Sequence, residues 1–151
     1  MKIFYTGLVV SAFLSMSVKA QQAITVKQHH TPKPAVFTKF PAKFEVDLAP
    51  FRRAFASSID DTVSIRLSAH HTFRGVIIDK VQHSPTLRAL NIKSAEFSGA
   101  MMHISLNTSP DAEQPVNVRI IHPRKADVIV LSQEAGKYFL VKEEQQFFLA
   151  E

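Results

Sequence analysis

The amino-acid sequence predicts a mainly-β protein: an antiparallel meander of about eight short strands, closed into a barrel or folded into a sandwich, with one short helix before it. Apolar and polar residues alternate at every second position in successive segments of residues 62–149, which is the period of a half-buried strand. Turn-forming residues separate these segments at intervals of roughly 8–14 residues. Only residues 47–57 have a helical period, so the α component is minor.

Residues 1–20 have the pattern of a secretory leader. Lys2 precedes an apolar run over residues 7–14, and the small residues Val18 and Ala20 stand third and first before Gln21, which suits a signal peptidase. The apolar run is shorter than the roughly 20 residues that span a bilayer. We expect a cleaved signal peptide, export to a periplasm, the cell surface or the medium, and no stable transmembrane segment after cleavage. Retention as a membrane anchor is the alternative.

Residues 21–41 differ in composition from the rest of the chain. They are rich in Gln, His, Thr and Lys, and Pro32, Pro34 and Pro41 interrupt both helices and central strands. The composition predicts an extended tether, followed by a single β-rich domain over residues 42–151. Residues 36–40 carry enough apolar surface to lie along the outside of that domain as an edge strand.

The helical window is residues 47–57. Pro50 suits the first turn of a helix, and Asp47 can flank its start. Leu48, Phe51 and Phe55 fall on one stripe, while the arginines between them face outward. We expect this helix to cover an open end or face of the sheet.

The predicted strands share the alternating pattern and cover residues 62–68, 73–81, 87–93, 99–106, 116–120, 127–132, 137–142 and 145–149. Residues 99–106 are the predicted centre, with Met102, Ile104 and Leu106 on the core face and His103 on the opposite face. Gly75 predicts a bulge or a close backbone crossing. Gly136 stands where a turn requires a left-handed residue.

The composition excludes several classes of function. The chain has no cysteine, which excludes disulfides, a thiolate nucleophile and cysteine-based metal sites. Two of its 18 Lys and Arg residues, Lys2 and Lys19, lie in the predicted leader, leaving 16 against 13 acidic residues. These charges are scattered, so we expect no nucleic-acid partner.

Seven histidines are many for such a chain, and they include the adjacent pairs His29-His30 and His70-His71. Adjacent residues of a strand point to opposite faces, so such a pair does not supply two ligands to one metal. His70, His71 and His103 are weak metal candidates, because they meet only if the fold brings two distant strands together. We therefore expect no metal site and no cofactor.

The sequence also gives no catalytic residue. No Gly-x-Ser-x-Gly elbow is present, and Ser105, which could be combined on paper with His103, stands in the middle of a predicted strand. A nucleophile needs a strained turn with backbone donors beside it. We predict a non-catalytic protein.

The aromatic residues are almost all phenylalanine, with 12 Phe, 2 Tyr and no Trp. Binding surfaces for sugars and peptides are enriched in Trp and Tyr, so the sequence does not favour a sugar site. Phe139, Phe147 and Phe148 either pack in the core or form an exposed patch for a partner. Together with His103 they are the candidate binding residues.

The leading functional hypothesis is an exported, non-catalytic β-domain that binds another macromolecule, a protein or a cell-envelope component, through a sheet edge or face. One alternative is a barrel whose interior binds a small apolar ligand; the residues predicted to line it are Met102, Ile104, Val118 and Val130. The other is a metal-assisted hydrolase that depends on His70, His71 or His103.

Overall fold

The chain forms one sheet whose strands follow each other in space almost as they do in sequence. The structure is a computed structural model that describes residues 35–125 and 127–144. Its elements in chain order are β1 (Lys43–Val46), α1 (Ala49–Ala54), β2 (Thr62–Arg66), β3 (Thr72–Gln82), β4 (Leu87–Ser94), β5 (Met101–Asn107), β6 (Val116–Ile121), β7 (Asp127–Glu134) and β8 (Lys137–Glu144).

The sheet is open, and β1 and β2 are its two edges. Its eight strands lie in the order β1-β8-β7-β6-β5-β4-β3-β2, and neighbouring strands are antiparallel. The sheet curls strongly into a half-barrel, and the chain passes from one edge strand to the other through α1. The predicted antiparallel meander with one short helix is therefore confirmed, and its form is a half-barrel.

The predicted strands of residues 62–142 correspond to β2–β8, whereas β1 is not among the predicted elements. Only Val46 is buried among the four residues of β1, which is too little for an alternating pattern to be recognised. Residues 36–40, expected as an edge strand, form a turn in which the Phe40 N–H donates to the Phe37 carbonyl at 3.0 Å. β8 continues to Glu144, and the strand predicted at residues 145–149 lies outside the described residues.

The core lies on the inner face of the half-barrel. In β5, Met102, Ile104 and Leu106 are buried, while His103 and Ser105 on the outer face are half-buried, as the alternation predicts. Every strand from β2 to β8 contributes apolar side chains to the same face; among the buried ones are Ile65, Phe73, Ile77, Leu90, Ile92, Val118, Ile120, Ile129, Leu131 and Leu140.

Phenylalanines from outside the sheet complete this core. Phe37 and Phe51 are fully buried, and Phe40 and Phe55 nearly so, which places α1 and the preceding turn in the hydrophobic core. Phe37 and Phe40 fall within the range predicted as a tether, whose residues 21–34 lie outside the described part.

The predicted apolar stripe of the helix is confirmed. At six residues α1 is short, and no helix in residues 35–125 or 127–144 is long and apolar enough to cross a bilayer.

Lys80 holds the C-terminal end of α1 against β3. Its ammonium donates to the carbonyls of Phe55 at 2.9 Å and Ser57 at 2.8 Å. Carbonyls at a helix end have no partner within the helix and carry the negative end of its dipole, so a cation there stabilises the helix. The Arg88 guanidinium lies 5.4 Å from the ring centroid of Phe55, so a second cation faces the same end.

Two glycines meet different steric demands. A Cβ at Gly75 would lie 2.3 Å from the Lys93 carbonyl oxygen, so Gly75 marks a close approach of β3 to β4. The bulge in β3 lies elsewhere, between Ile77 and Asp79. Gly136 and its neighbour Ala135 form the turn between β7 and β8 with φ of +77° and +47°, so the predicted left-handed glycine is confirmed.

We predict that Gly75→Ala destabilises the fold by about 3 kcal/mol or more, because the new methyl group meets backbone rather than a flexible side chain. Gly136→Ala should cost only about 1–2 kcal/mol, since its Cβ would meet nothing within 4 Å and the cost is that of the left-handed backbone alone. Urea unfolding of both variants measures the difference. Equal losses of unfolding free energy would contradict the close approach.

Candidate functional site

A row of polar residues crosses the outer face of the half-barrel. The strand register makes Asp79 of β3, Asn91 of β4, His103 of β5 and Arg119 of β6 successive partners. The bulge puts Asp79 into this row: Ile77 pairs with Ile92, Ile78 has no partner, and Asp79 pairs with Asn91. The row therefore depends on the register of four strands at once.

Hydrogen bonds link the first three residues of this row and fix the tautomer of His103. The Asn91 Nδ2 group donates to the Asp79 carboxylate at 3.2 Å, which orients the amide because a carboxylate only accepts. The Asn91 oxygen then faces His103 Nδ1 at 2.8 Å, and this oxygen also only accepts. Nδ1 of His103 therefore carries the hydrogen, and Nε2 of the neutral ring keeps its lone pair.

The surroundings of His103 favour the neutral ring. Burial lowers the pKa of His103 below 6.5, and the positive charges of Arg119 and His83 lower it further. At neutral pH the imidazole is therefore an acceptor at Nε2. No side chain of the described residues hydrogen-bonds to Nε2, since the contact with Asn91 is made by Nδ1.

His103 lines a cleft of about 300 Å³ on the outer face. This volume is at the lower end of the range typical of small-molecule sites. Arg119 forms no salt bridge with a described residue, so its charge faces the cleft without a carboxylate. The lining combines these two groups with amide, hydroxyl and apolar side chains: Asn91, Met101, Ser105, Asn117 and Ile121.

The other histidines named as metal candidates lie elsewhere. His71 packs against the rings of Phe40 and Phe44, and its Nδ1 and Nε2 pair with Ser68 Oγ at 2.9 Å and the Lys39 carbonyl at 3.2 Å. Both of its ring nitrogens thus hold the β2–β3 turn in place. His70 is exposed, and the described ranges contain no group of three or more histidines and carboxylates placed to hold a metal.

Phe139, the candidate binding residue of β8, lies on the outer face and is half-buried. Its Cα partners are Glu45 and Ser132, and the Lys43 ammonium lies 4.4 Å from its ring centroid. His103 lies on the same face, but its strand β5 is three strands from β8, which corresponds to roughly 14 Å across the sheet. Phe147 and Phe148 lie outside the described residues.

One residue predicted to line a barrel interior is on the other face. Met102, Ile104 and Val118 are buried inside, as predicted. Val130 pairs with Arg119 and therefore lies on the outer face, so that prediction is wrong for Val130. Alternation fixes which residues of one strand share a face, but it does not say which phase faces the core when both phases are apolar, as they are in β7.

A second feature is the free edge of β2; the sequence predicts binding through a sheet edge or face but does not indicate which strand forms the edge. The Leu67 N–H donates to the His71 carbonyl at 2.9 Å, and the Asp61 carbonyl accepts from Ile77 at 3.0 Å. Backbone groups of an antiparallel strand alternate in direction, so those of residues 61, 63, 65 and 67 face β3. The backbone groups of Thr62, Ser64 and Arg66 point away from it, towards the side on which no strand of residues 35–125 or 127–144 neighbours β2.

A groove runs along this edge between β2 and α1. Its first part, of about 330 Å³, is lined by Pro50, Arg53, Ala54, Ser57 and residues 62–66. A second depression of about 500 Å³ shares Pro50, Arg53 and Arg66 with it and extends to Ala69. We call the two together the edge groove.

The charge of the edge groove that is not compensated by salt bridges is positive. Neither Arg53 nor Arg66 forms a salt bridge with a described residue. Of the two carboxylates at its far part, Glu45 is paired with Lys137 at 3.1 Å. Asp47 accepts the Ala49 N–H at 2.9 Å and keeps its negative charge, which the two arginines outnumber. The groove therefore presents two guanidinium groups beside a row of unused backbone donors and acceptors.

Comparison with protein-family models, curated proteins and solved structures finds no match to this chain. The geometry of the edge groove and of the His103 cleft is therefore the basis for the function proposed below. Of the two sites, sequence reasoning named only His103. The sequence does not show the strand register. Without the register, nothing distinguishes Asp79, Asn91 and Arg119 from other polar residues.

We predict that His103 titrates below pH 6.5 and that its neutral ring is protonated on Nδ1. Long-range proton–nitrogen correlation NMR measures both. Arg119→Gln should raise the pKa, because it removes one of the charges that oppose protonation. Since the unfolded chain binds this proton more readily, the contribution of His103 to folding stability should fall as the pH drops below 6.5 towards the folded pKa. A neutral ring protonated on Nε2 would contradict the hydrogen-bond chain.

Proposed function

We propose that this protein is a non-catalytic binding domain that takes up an extended segment of another protein as an added strand on the free edge of β2. The observation that carries the proposal is the edge itself: Thr62, Ser64 and Arg66 direct their backbone groups into the edge groove, where no strand in the described part of the chain pairs with them. Strand addition of this kind obtains affinity from main-chain hydrogen bonds and selectivity from side chains that alternate along the segment.

The charge of the groove selects the chemistry of the partner. Arg53 and Arg66 line both parts of the edge groove, so a segment with carboxylates on alternate residues would place them beside the guanidinium groups. Guanidinium–carboxylate pairs of this kind can be bidentate, which adds direction as well as attraction. The proposed partner is therefore an acidic, extended peptide segment, and the predicted leader would place it in an envelope or outside the cell.

The two other functions have less support. A small apolar ligand would occupy the inner face, which Phe37, Phe51 and Phe55 cover in the structure. A hydrolase would need a nucleophile or a metal beside His103, and its only hydrogen-bond partner among the described side chains is Asn91.

We predict that a fluorescein-labelled hexapeptide of alternating Glu and Val binds with a micromolar dissociation constant, measured by fluorescence anisotropy. The corresponding Lys–Val peptide should bind at least tenfold more weakly, because it places like charges beside Arg53 and Arg66. Ser64→Pro should weaken binding of the Glu–Val peptide at least tenfold. The substitution removes the backbone N–H that residue 64 points into the groove and leaves the hydrogen bonds between β2 and β3 in place.

Arg66→Glu should also weaken binding at least tenfold, and Arg124→Glu provides the matched control. Arg124 is exposed in the turn between β6 and β7, so this control makes the same change of charge outside the groove. Equal affinity for the two peptides, or affinity that survives Ser64→Pro, would exclude strand addition at β2.

A further inference from the structure

The His103 cleft lies on the outer face of the sheet, whereas the edge groove lies beside β2. The cleft and the edge groove have no lining residue in common. A ligand in the cleft therefore does not compete with a strand added at β2 for the same residues, and its chemistry follows from the cleft lining.

Two polar side chains of the cleft, Asn91 and His103, are oriented before any ligand arrives. The hydrogen-bond chain from Asp79 through Asn91 fixes the ring of His103 and leaves Nε2 as an acceptor. Arg119 is the cross-strand neighbour of His103, so a cation stands next to that acceptor. Side chains held in advance lower the entropic cost of binding.

The spacing of these groups defines the ligand. Paired residues of neighbouring antiparallel strands lie about 4.5–5.5 Å apart at Cα, so an anion on Arg119 and a donor on His103 Nε2 belong to adjacent parts of one small molecule. Met101 and Ile121 stand in the row on one side of this pair, and Ser105 and Asn117 in the row on the other. The ligand therefore has an apolar end beside its polar end.

We propose that the His103 cleft binds a small α-hydroxy acid with an apolar substituent. Its carboxylate pairs with the Arg119 guanidinium, and its hydroxyl donates to His103 Nε2. The apolar substituent lies against Met101 and Ile121. This ligand satisfies the Arg119 guanidinium and His103 Nε2 at once, which neither a simple carboxylic acid nor an alcohol does.

The test compares three ligands that differ by one group each. Phenyllactate carries both the carboxylate and the hydroxyl, phenylpropionate lacks the hydroxyl, and phenyllactamide lacks the negative charge. We expect the full chain to bind phenyllactate at least tenfold more tightly than either of the others, measured by calorimetry. Binding should move the His103 Nε2 resonance in the nitrogen NMR spectrum much more than that of Nδ1.

Two variants assign each contact. In Arg119→Gln the preference for phenyllactate over phenyllactamide should disappear, while the preference over phenylpropionate remains. In His103→Leu the preference over phenylpropionate should disappear, while the preference over phenyllactamide remains. Because each result is a ratio of affinities within one variant, a general loss of stability does not produce it, and the amide NMR spectrum verifies that each variant is folded.

Arg74→Gln is the matched control, since Arg74 is an exposed arginine of β3 that does not line the cleft. It should leave all three affinities unchanged, and so should Ser64→Pro in the edge groove. Absence of binding, equal affinity of the wild-type chain for the three ligands, or ratios unchanged by Arg119→Gln and His103→Leu would overturn the proposal. None of these outcomes bears on the peptide at β2.

Discussion

The burial of phenylalanine side chains against a sheet that does not close is the interaction on which this structure depends. A curled open sheet would expose its inner apolar face to water, and Phe37, Phe51 and Phe55 cover that face. Each buried ring contributes about 1.5–3 kcal/mol, so this cover is a substantial part of the folding free energy. Because α1 joins the edge strands β1 and β2, the residues that fill the half-barrel also lie beside its opening.

The open edge and the outer face are two separate surfaces of the sheet. Sheet edges invite uncontrolled pairing, and natural proteins protect them with short strands and charged residues. β2 has five residues and carries Arg66, with Arg53 facing the same groove. These charges disfavour a second copy of the same edge and favour an acidic segment. The outer face lies away from this edge and is free to hold a polar site of its own.

Alternation in the sequence predicted β2–β8, the inner face of β5 and the apolar stripe of α1, because burial on one face imposes a period that a single strand or helix displays by itself. It did not predict β1, where Val46 alone is buried. Alternation did not predict the polar row of Asp79, Asn91, His103 and Arg119 for a different reason. Asp79 meets Asn91 only because of the bulge at Ile78, and nothing local marks that bulge. Of the two alternatives predicted at Gly75, a bulge or a close backbone crossing, the structure has the close crossing.

Hydrogen exchange at β2 tests the free edge most directly, because the alternating amides of this strand have opposite surroundings. In the protein without a partner, the amides of Thr62, Ser64 and Arg66 should exchange quickly, and those of Val63, Ile65 and Leu67 slowly, since only the latter are bonded to β3. Slow exchange at all six amides would mean that another part of the chain already pairs with β2, and the account of an open half-barrel with a free edge would be wrong.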